Sequence, residues 1–238
     1  MSRFQTEKKL PTLHLDFDSL QRIEEFLIKD LPKEILNAFP KGVKSIYFVT
    51  LTDKRGSDEL KSIKEFKSKF LADSLSLIEF QLLDEKKEFE ITINLDKEEG
   101  ALLILDFKLE DARSVAVKFQ DKLDQVIDSF RSVNWFFHPP EILSVVIAFG
   151  IIMTGIISFG DLSNGKYIEA VGPGLIFLSL GSYYYVGKHI RTPVSFDTRR
   201  YQIFNNYLVW FISGNLSFLI FGTIFTFLRD KIIEILFN

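Results

Sequence analysis

Residues 142–159 read ILSVVIAFGIIMTGIISF, eighteen consecutive positions without a charge. As an α-helix rising 1.5 Å per residue, this run covers roughly 27 Å, close to the hydrocarbon thickness of a bilayer. Two more uncharged runs follow, at 170–187 and at 207–228. Three such runs in succession predict three membrane-spanning helices. Gly172, Pro173 and Gly174 sit near the start of the second, which leaves open whether that span is complete, kinked or re-entrant.

Charge divides the chain just before the first run. Lys, Arg, Asp and Glu fill 48 of the first 134 positions and 13 of the remaining 104. Residues 1–134 thus have the charge density of a solvated domain and 135–238 that of lipid-embedded protein, which excludes a single soluble globule. The net charge is −3, too balanced for a large nucleic-acid-binding surface, although smaller basic patches stay open. No cysteine occurs, which removes disulfides, thiolate metal sites and cysteine nucleophiles together and suits a reducing compartment. The opening MSRFQTEKKLPTLHLDFDSL lacks the apolar core of a signal peptide, so the first domain is expected to stay on the side where it is made.

Within 1–134 the strongest pattern is at 88–96, where Phe89, Ile91, Ile93 and Leu95 alternate with Glu88, Glu90, Thr92, Asn94 and Asp96. That is a strand with one buried and one wet face. Flanking runs at 75–83 and 101–107, set off by the turns DEKK and KEEG, extend it to a three-stranded antiparallel meander. Further strands are expected at 12–16 and 44–51. A helix is expected after a cap at Asp18 or Ser19, burying Ile23, Phe26 and Leu27, with a short one at 33–38. Ser57 precedes Leu60, Ile63, Phe66 and Phe70, spaced as one face of a helix with Lys61, Lys64, Lys67 and Lys69 on its solvated side. Residues 110–131 carry Val115, Phe119, Leu123, Val126 and Phe130 at the same spacing, an amphipathic helix that should cover the sheet and lead to the bilayer. The predicted class is an α+β domain (an antiparallel sheet with helices) at 1–134, followed by an α-helical transmembrane domain at 135–238.

The two parts meet at WFFHPP, residues 135–140, an aromatic cluster of the kind found at membrane interfaces, ended by two prolines. Lys188, Arg191, Arg199 and Arg200 in the second inter-span loop outnumber Lys166 in the first. The second loop, and with it the amino-terminal domain, is expected in the cytoplasm. The same four cations are candidates for contact with anionic lipid or with an anionic ligand beneath the soluble domain.

Neither a nucleophile with its base, a metal constellation nor a phosphate cradle stands out, so the expectation is a protein without enzymatic activity, cofactor or metal. His14, His138 and His189 fall in three separate contexts and read as surface or interface residues. No Asp, Glu, Lys, Arg or His lies within the three uncharged runs, which disfavours pumps and ion-coupled transporters. Uncharged polar groups remain. Gly150, Thr154 and Ser158 recur every four residues as a small-residue ridge. On the third run Asn215, Gly222 and Thr226 share one line at ~100° per residue, with Ser213 and Ser217 opposite. Both sets are candidates for helix packing or for lining a pore built from several copies.

The order of parts, an α+β domain, an amphipathic helix, the WFFHPP junction and closely spaced spans, resembles the small membrane effectors of bacterial anti-phage defence systems. The resemblance is one of architecture and rests on no signature motif. It implies a homo-oligomer in the inner membrane whose cytoplasmic domain holds a pore closed until a companion protein, a nucleotide or an oligonucleotide signals infection. The alternative is a non-conducting anchor or scaffold that recruits a cytoplasmic partner.

Overall fold

The structure, a computed structural model, describes residues 2–29, 45–66, 71–85, 88–210, 213, 214 and 217. Strands β5 (Leu75–Asp84), β6 (Phe89–Asp96) and β7 (Gly100–Leu109) form the antiparallel meander that the alternation predicts. Phe80, Ile91, Ile93, Leu103, Leu105 and Phe107 are fully buried on one face. The other carries Glu79, Gln81, Glu90, Asn94 and Asp106, although Thr92, expected to be wet, is buried there too. β1 (Ser2–Lys9) pairs with β7, β3 (Ser45–Asp53) with β5, and β4 (Gly56–Leu60) with β3. The result is a six-stranded antiparallel sheet in the order β1-β7-β6-β5-β3-β4. Both edge strands are rich in charge, which discourages pairing with other chains.

β4 corrects the helix expected after Ser57. The Asp53 carboxylate accepts hydrogen bonds from the backbone N–H groups of Arg55 (2.7 Å) and Gly56 (3.2 Å) and from the Ser74 hydroxyl (3.0 Å). These bonds hold its pKa below the usual carboxylate value. Gly56 takes φ 151°, a conformation that favours glycine. The tight turn that results folds residues 56–60 back along β3, and turn chemistry overrides the three-and-four spacing. A 3-10 turn, Ile63–Glu65, follows. Residues 67–70 and the short helix expected at 33–38 lie outside the described residues.

Two helices cover the buried face. α1 (Phe17–Ile28) is capped by Asp16, two residues earlier than expected, whose carboxylate accepts from the Ser19 N–H at 2.7 Å. It buries Ile23, Phe26 and Leu27 as predicted, along with Leu20. Glu24, 3% exposed, accepts from the Ile63 N–H and the Ser62 hydroxyl and so ties α1 to the 3-10 turn. α2 (Ala112–Asp128) buries Val115, Phe119 and Leu123 against β1, β7 and α1. Its Phe119 ring lies 5.6 Å from that of Phe26, and Lys8 of β1 bonds Asp124 at 2.5 Å. The α+β class is therefore the observed one.

Beyond this domain run α3 (Glu141–Ser163) and α4 (Tyr167–His189), each of 23 residues. They are antiparallel, since Gly150 lies against Leu180, Gly155 against Phe177, and Ser158 against Gly174. Gly165, at φ 76°, sits in the connection. α4 passes unbroken through Pro173. β8 (Val194–Phe196) then pairs in parallel with β2 (Leu13–Leu15). Residues 1–197 thus form one unit and 198–238 a second. In the second, residues 199–210 are helical, and Thr198 Oγ1 accepts from the Tyr201 N–H at 3.2 Å.

Candidate functional site at the root of an apolar hairpin

α3 has a mean hydropathy of 2.5 over its most apolar 18-residue window, and none of that window is buried. Ile142, Val145, Phe149, Ile152, Ile156 and Phe159 are all exposed. A helix hydrophobic all round requires an apolar surrounding, and the described residues do not supply one. Among the described residues α3 alone is long and apolar enough to cross a membrane. α4 equals it in length but carries Tyr183, Tyr184 and Tyr185 and two serines. Of the third expected span, 207–228, only 207–210, 213, 214 and 217 are described.

The small-residue ridge of α3 faces α4. A Cβ on Gly150 would stand 3.4 Å from Leu180, and the Ser158 hydroxyl donates to the Ala170 carbonyl on α4 at 3.1 Å. Thr154 satisfies its hydroxyl within its own helix, on Gly150 O at 2.7 Å. The structure therefore places Gly150, Thr154 and Ser158 along the intrachain seam. Ser213 and Ser217 are exposed, whereas Asn215, Gly222 and Thr226 lie outside the described residues. Lys188 and Arg191 belong to the first unit and Arg199 and Arg200 to the second.

No periodicity or motif marks how the hairpin is fastened. β2 lies between the segment that enters the hairpin and the segment that leaves it. On one side the His14 N–H donates to Phe130 O (3.0 Å) and the Ser132 N–H to Thr12 O (2.9 Å). On the other, the Leu13 N–H donates to Pro193 O (2.9 Å) and the Asp197 N–H to Leu15 O (2.8 Å). Leu13, Leu15, Val194 and Phe196 are all buried in the core of the α+β domain. Side chains join the two roots directly. Asn134, fully buried, donates from Nδ2 to Thr192 O and Ser195 Oγ, both at 3.0 Å. His138 Nε2 donates to Arg191 O at 2.7 Å, which fixes its tautomer. Tyr183 donates to Phe136 O, and its ring stacks on Phe137 with centroids 5.4 Å apart. Trp135 and Phe136 stay exposed as part of an aromatic collar.

The Ser195 hydroxyl lies 3.2 Å from His14 Nδ1, a nucleophile beside a base. At 1% exposure and bound by Asn134, it offers no surface to a substrate, and its role is structural. Burial lowers the His14 pKa, opposed by Asp197 and Asp16 and reinforced by Arg191. The folded state therefore favours the neutral ring, and as pH falls the unfolded chain takes up the proton first. The His14 contribution should be complete above pH ~6.5 and decline as pH drops toward the folded pKa, by at most ~1.4 kcal/mol per pH unit. Thermal melts of His14→Asn should show a flatter decline from about pH 7 to about pH 5. A slope equal to that of the parent chain would place the responsible proton elsewhere.

Among the described residues no cluster of His, Asp and Glu is able to hold a metal ion. The fold defines an α+β domain that carries an apolar helical hairpin by both of its roots. The chain matches no protein-family model, no curated protein and no solved structure.

Proposed function

We propose that this chain is an oligomeric, multi-pass membrane effector that forms a pore gated by its cytoplasmic α+β domain. The reading includes three spans (142–159, 170–187 and 207–228), an inner-membrane location and, following the architectural resemblance, a role in anti-phage defence. One observation carries it: an unburied apolar hairpin is held by the α+β domain at both roots, on either side of β2. In this reading both roots lie on one side of the membrane, a topology supported by their shared attachment to the α+β domain and by the excess of Lys and Arg there. The attachment also lets a movement of β2 reach α3 and α4 together. A companion protein, nucleotide or oligonucleotide then gates by preferring one assembly; reversing a 1:99 population needs about a 10⁴-fold preference.

The exposed face of α3 is apolar throughout its middle, so the lumen in this reading is lined by the third span and its Asn215. Planar-bilayer recording of the purified full chain should show discrete conductance, and Asn215→Leu should change it at least several-fold. A membrane that stays electrically silent with every candidate signal sinks the pore. The second reading, a non-conducting anchor that recruits a partner, is favoured by the ridge of α3 being engaged within the hairpin. It predicts that Asn215→Leu leaves toxicity and membrane potential unchanged.

A further inference from the structure

The turn between β6 and β7 meets the roots of the hairpin around a cavity of about 360 Å³, within the range of small-ligand sites. Both of its sides are held in place. Gly100, at φ 97°, closes the turn, and a Cβ there would stand 3.5 Å from Pro193 Cβ on the leaving root. Asp96 accepts from the Glu98 and Glu99 N–H groups at 2.7 and 2.8 Å, and the Lys97 N–H donates to Ser76 O at 2.9 Å, which fixes the backbone at Glu98. Across the cavity, Phe137 stacks on Tyr183, and His138 Nε2 is committed to Arg191 O at 2.7 Å. Lys97 borders the cavity too, but its ammonium is engaged with the protein itself and is not counted as a ligand group. The charged side chains that remain, Glu98 and Lys188, are both exposed, and neither forms an ion pair among the described residues.

The cavity therefore offers one carboxylate from the sheet and one ammonium from α4 that do not neutralise each other, with Phe137, Pro139 and Ile147 as apolar wall. A simple anion gains Lys188 but meets Glu98, and a simple cation gains Glu98 but meets Lys188, so each suffers one like-charge contact. An uncharged apolar molecule uses neither group. A zwitterion with its charges a few bonds apart uses both, and an apolar continuation of it uses the wall. A quaternary ammonium is recognised by a cage of ring faces, whereas Phe137 and Tyr183 each spend a face on the other. A carboxylate suits a primary ammonium, which donates hydrogen bonds to it. We propose that this cavity binds an aminoalkyl phosphate ester, with its phosphate on Lys188 of α4 and its primary ammonium on Glu98 of the β6–β7 turn, presented as a phosphatidylethanolamine headgroup or as soluble phosphoethanolamine. Such a ligand bridges the sheet to the hairpin at a point separate from β2, so its occupancy adjusts how firmly the two are coupled. The lipid source rests on the membrane reading above; the soluble source does not.

The test uses the full chain reconstituted in nanodiscs of equimolar phosphatidylethanolamine, phosphatidylcholine and phosphatidylglycerol, with retained lipids counted by native mass spectrometry after transfer to mild detergent. The parent chain should retain phosphatidylethanolamine in preference to both others. Glu98→Gln and Lys188→Gln should each weaken that retention roughly three- to fivefold, and Glu98→Gln should in addition turn the preference toward phosphatidylglycerol. Lys188→Arg should keep it, as should Glu99→Gln, one residue along the turn and outside the cavity. Calorimetric titration with phosphoethanolamine forms the second arm: heat that both Gln variants abolish, without a lipid preference, assigns the site to the soluble ester. Retention of phosphatidylcholine equal to that of phosphatidylethanolamine, or heat from inorganic phosphate equal to that from phosphoethanolamine, overturns the proposal, because the primary ammonium is then not recognised. A Glu99→Gln loss equal to that of Glu98→Gln also overturns it, because diffuse surface charge then explains the preference. Equal retention of all three lipids and no heat, in a protein that resists alkaline carbonate, overturns the cavity and spares the membrane reading. A chain that washes off vesicles overturns the membrane reading, and the titration alone then decides the cavity. Melting temperatures of the variants, expected to match the parent, separate lost binding from lost fold.

Discussion

Phe196→Ala should destabilise the α+β domain by ~3–5 kcal/mol, the cost of emptying a fully buried aromatic site. Phe196 is 1% exposed and packs in the same core as Leu13, Leu15 and Phe119, none of which has measurable exposure. It lies far beyond Leu109, where the sheet ends, and beyond both helices of the hairpin. A domain closed at residue 134 predicts no effect at all. Hydrogen exchange of β6 and β7 amides in the detergent-solubilised chain checks this: protection there should fall along with that of 13–15. Phe159→Ala, at 79% exposure on α3, serves as the comparison and should leave sheet protection unchanged. Equal protection in the two variants would mean that β8 only rests on the domain and does not complete its core.

The same residue shows where sequence pattern stops carrying information. β5, β6 and β7 are legible because one face is buried, which imposes a period of two, and because polar turns separate the runs. β1 alternates as well, but Arg3, Gln5, Glu7 and Lys9 oppose Phe4, Thr6 and Lys8, and only Phe4 is apolar. At 56–60 the spacing of Leu60, Ile63 and Phe66 mimics a helix, and the deciding signal is the Asp53 turn with Gly56. β8 is three residues long, and its partner stands near the other end of the chain, so neither periodicity nor local turns reveal it.

At the site, composition marks α3 as apolar and marks Gly150, Thr154 and Ser158 as a contact ridge. It does not say whether the contact is another copy or α4.

Gly187→Val tests whether the root carries a signal. Gly187 is buried in the last turns of α4, and a Cβ there would lie 2.9 Å from Phe137 O and 3.2 Å from Phe137 Cβ. The nearest atom is backbone, and that backbone is fixed by the stacking of Phe137 on Tyr183 and by the His138 bond to Arg191 O. No side chain is able to swing aside, so α4 must move away from the root. Overpacking of this kind costs ~1–3 kcal/mol. Amide exchange at 133–138 and 183–191 should accelerate roughly 5- to 150-fold, while β5, β6 and β7 keep their protection. Gly181→Val, where a Cβ meets nothing within 4 Å, should leave exchange at both segments unchanged. Vesicle dye release then separates the two functional readings. In the gated pore, loosening α4 from its root alters permeability together with exchange; in the anchor, exchange rises and the vesicles stay sealed. Unchanged exchange in Gly187→Val would instead show that the close approach to Phe137 relaxes without cost, and that α4 is not seated firmly enough to transmit a movement of the domain.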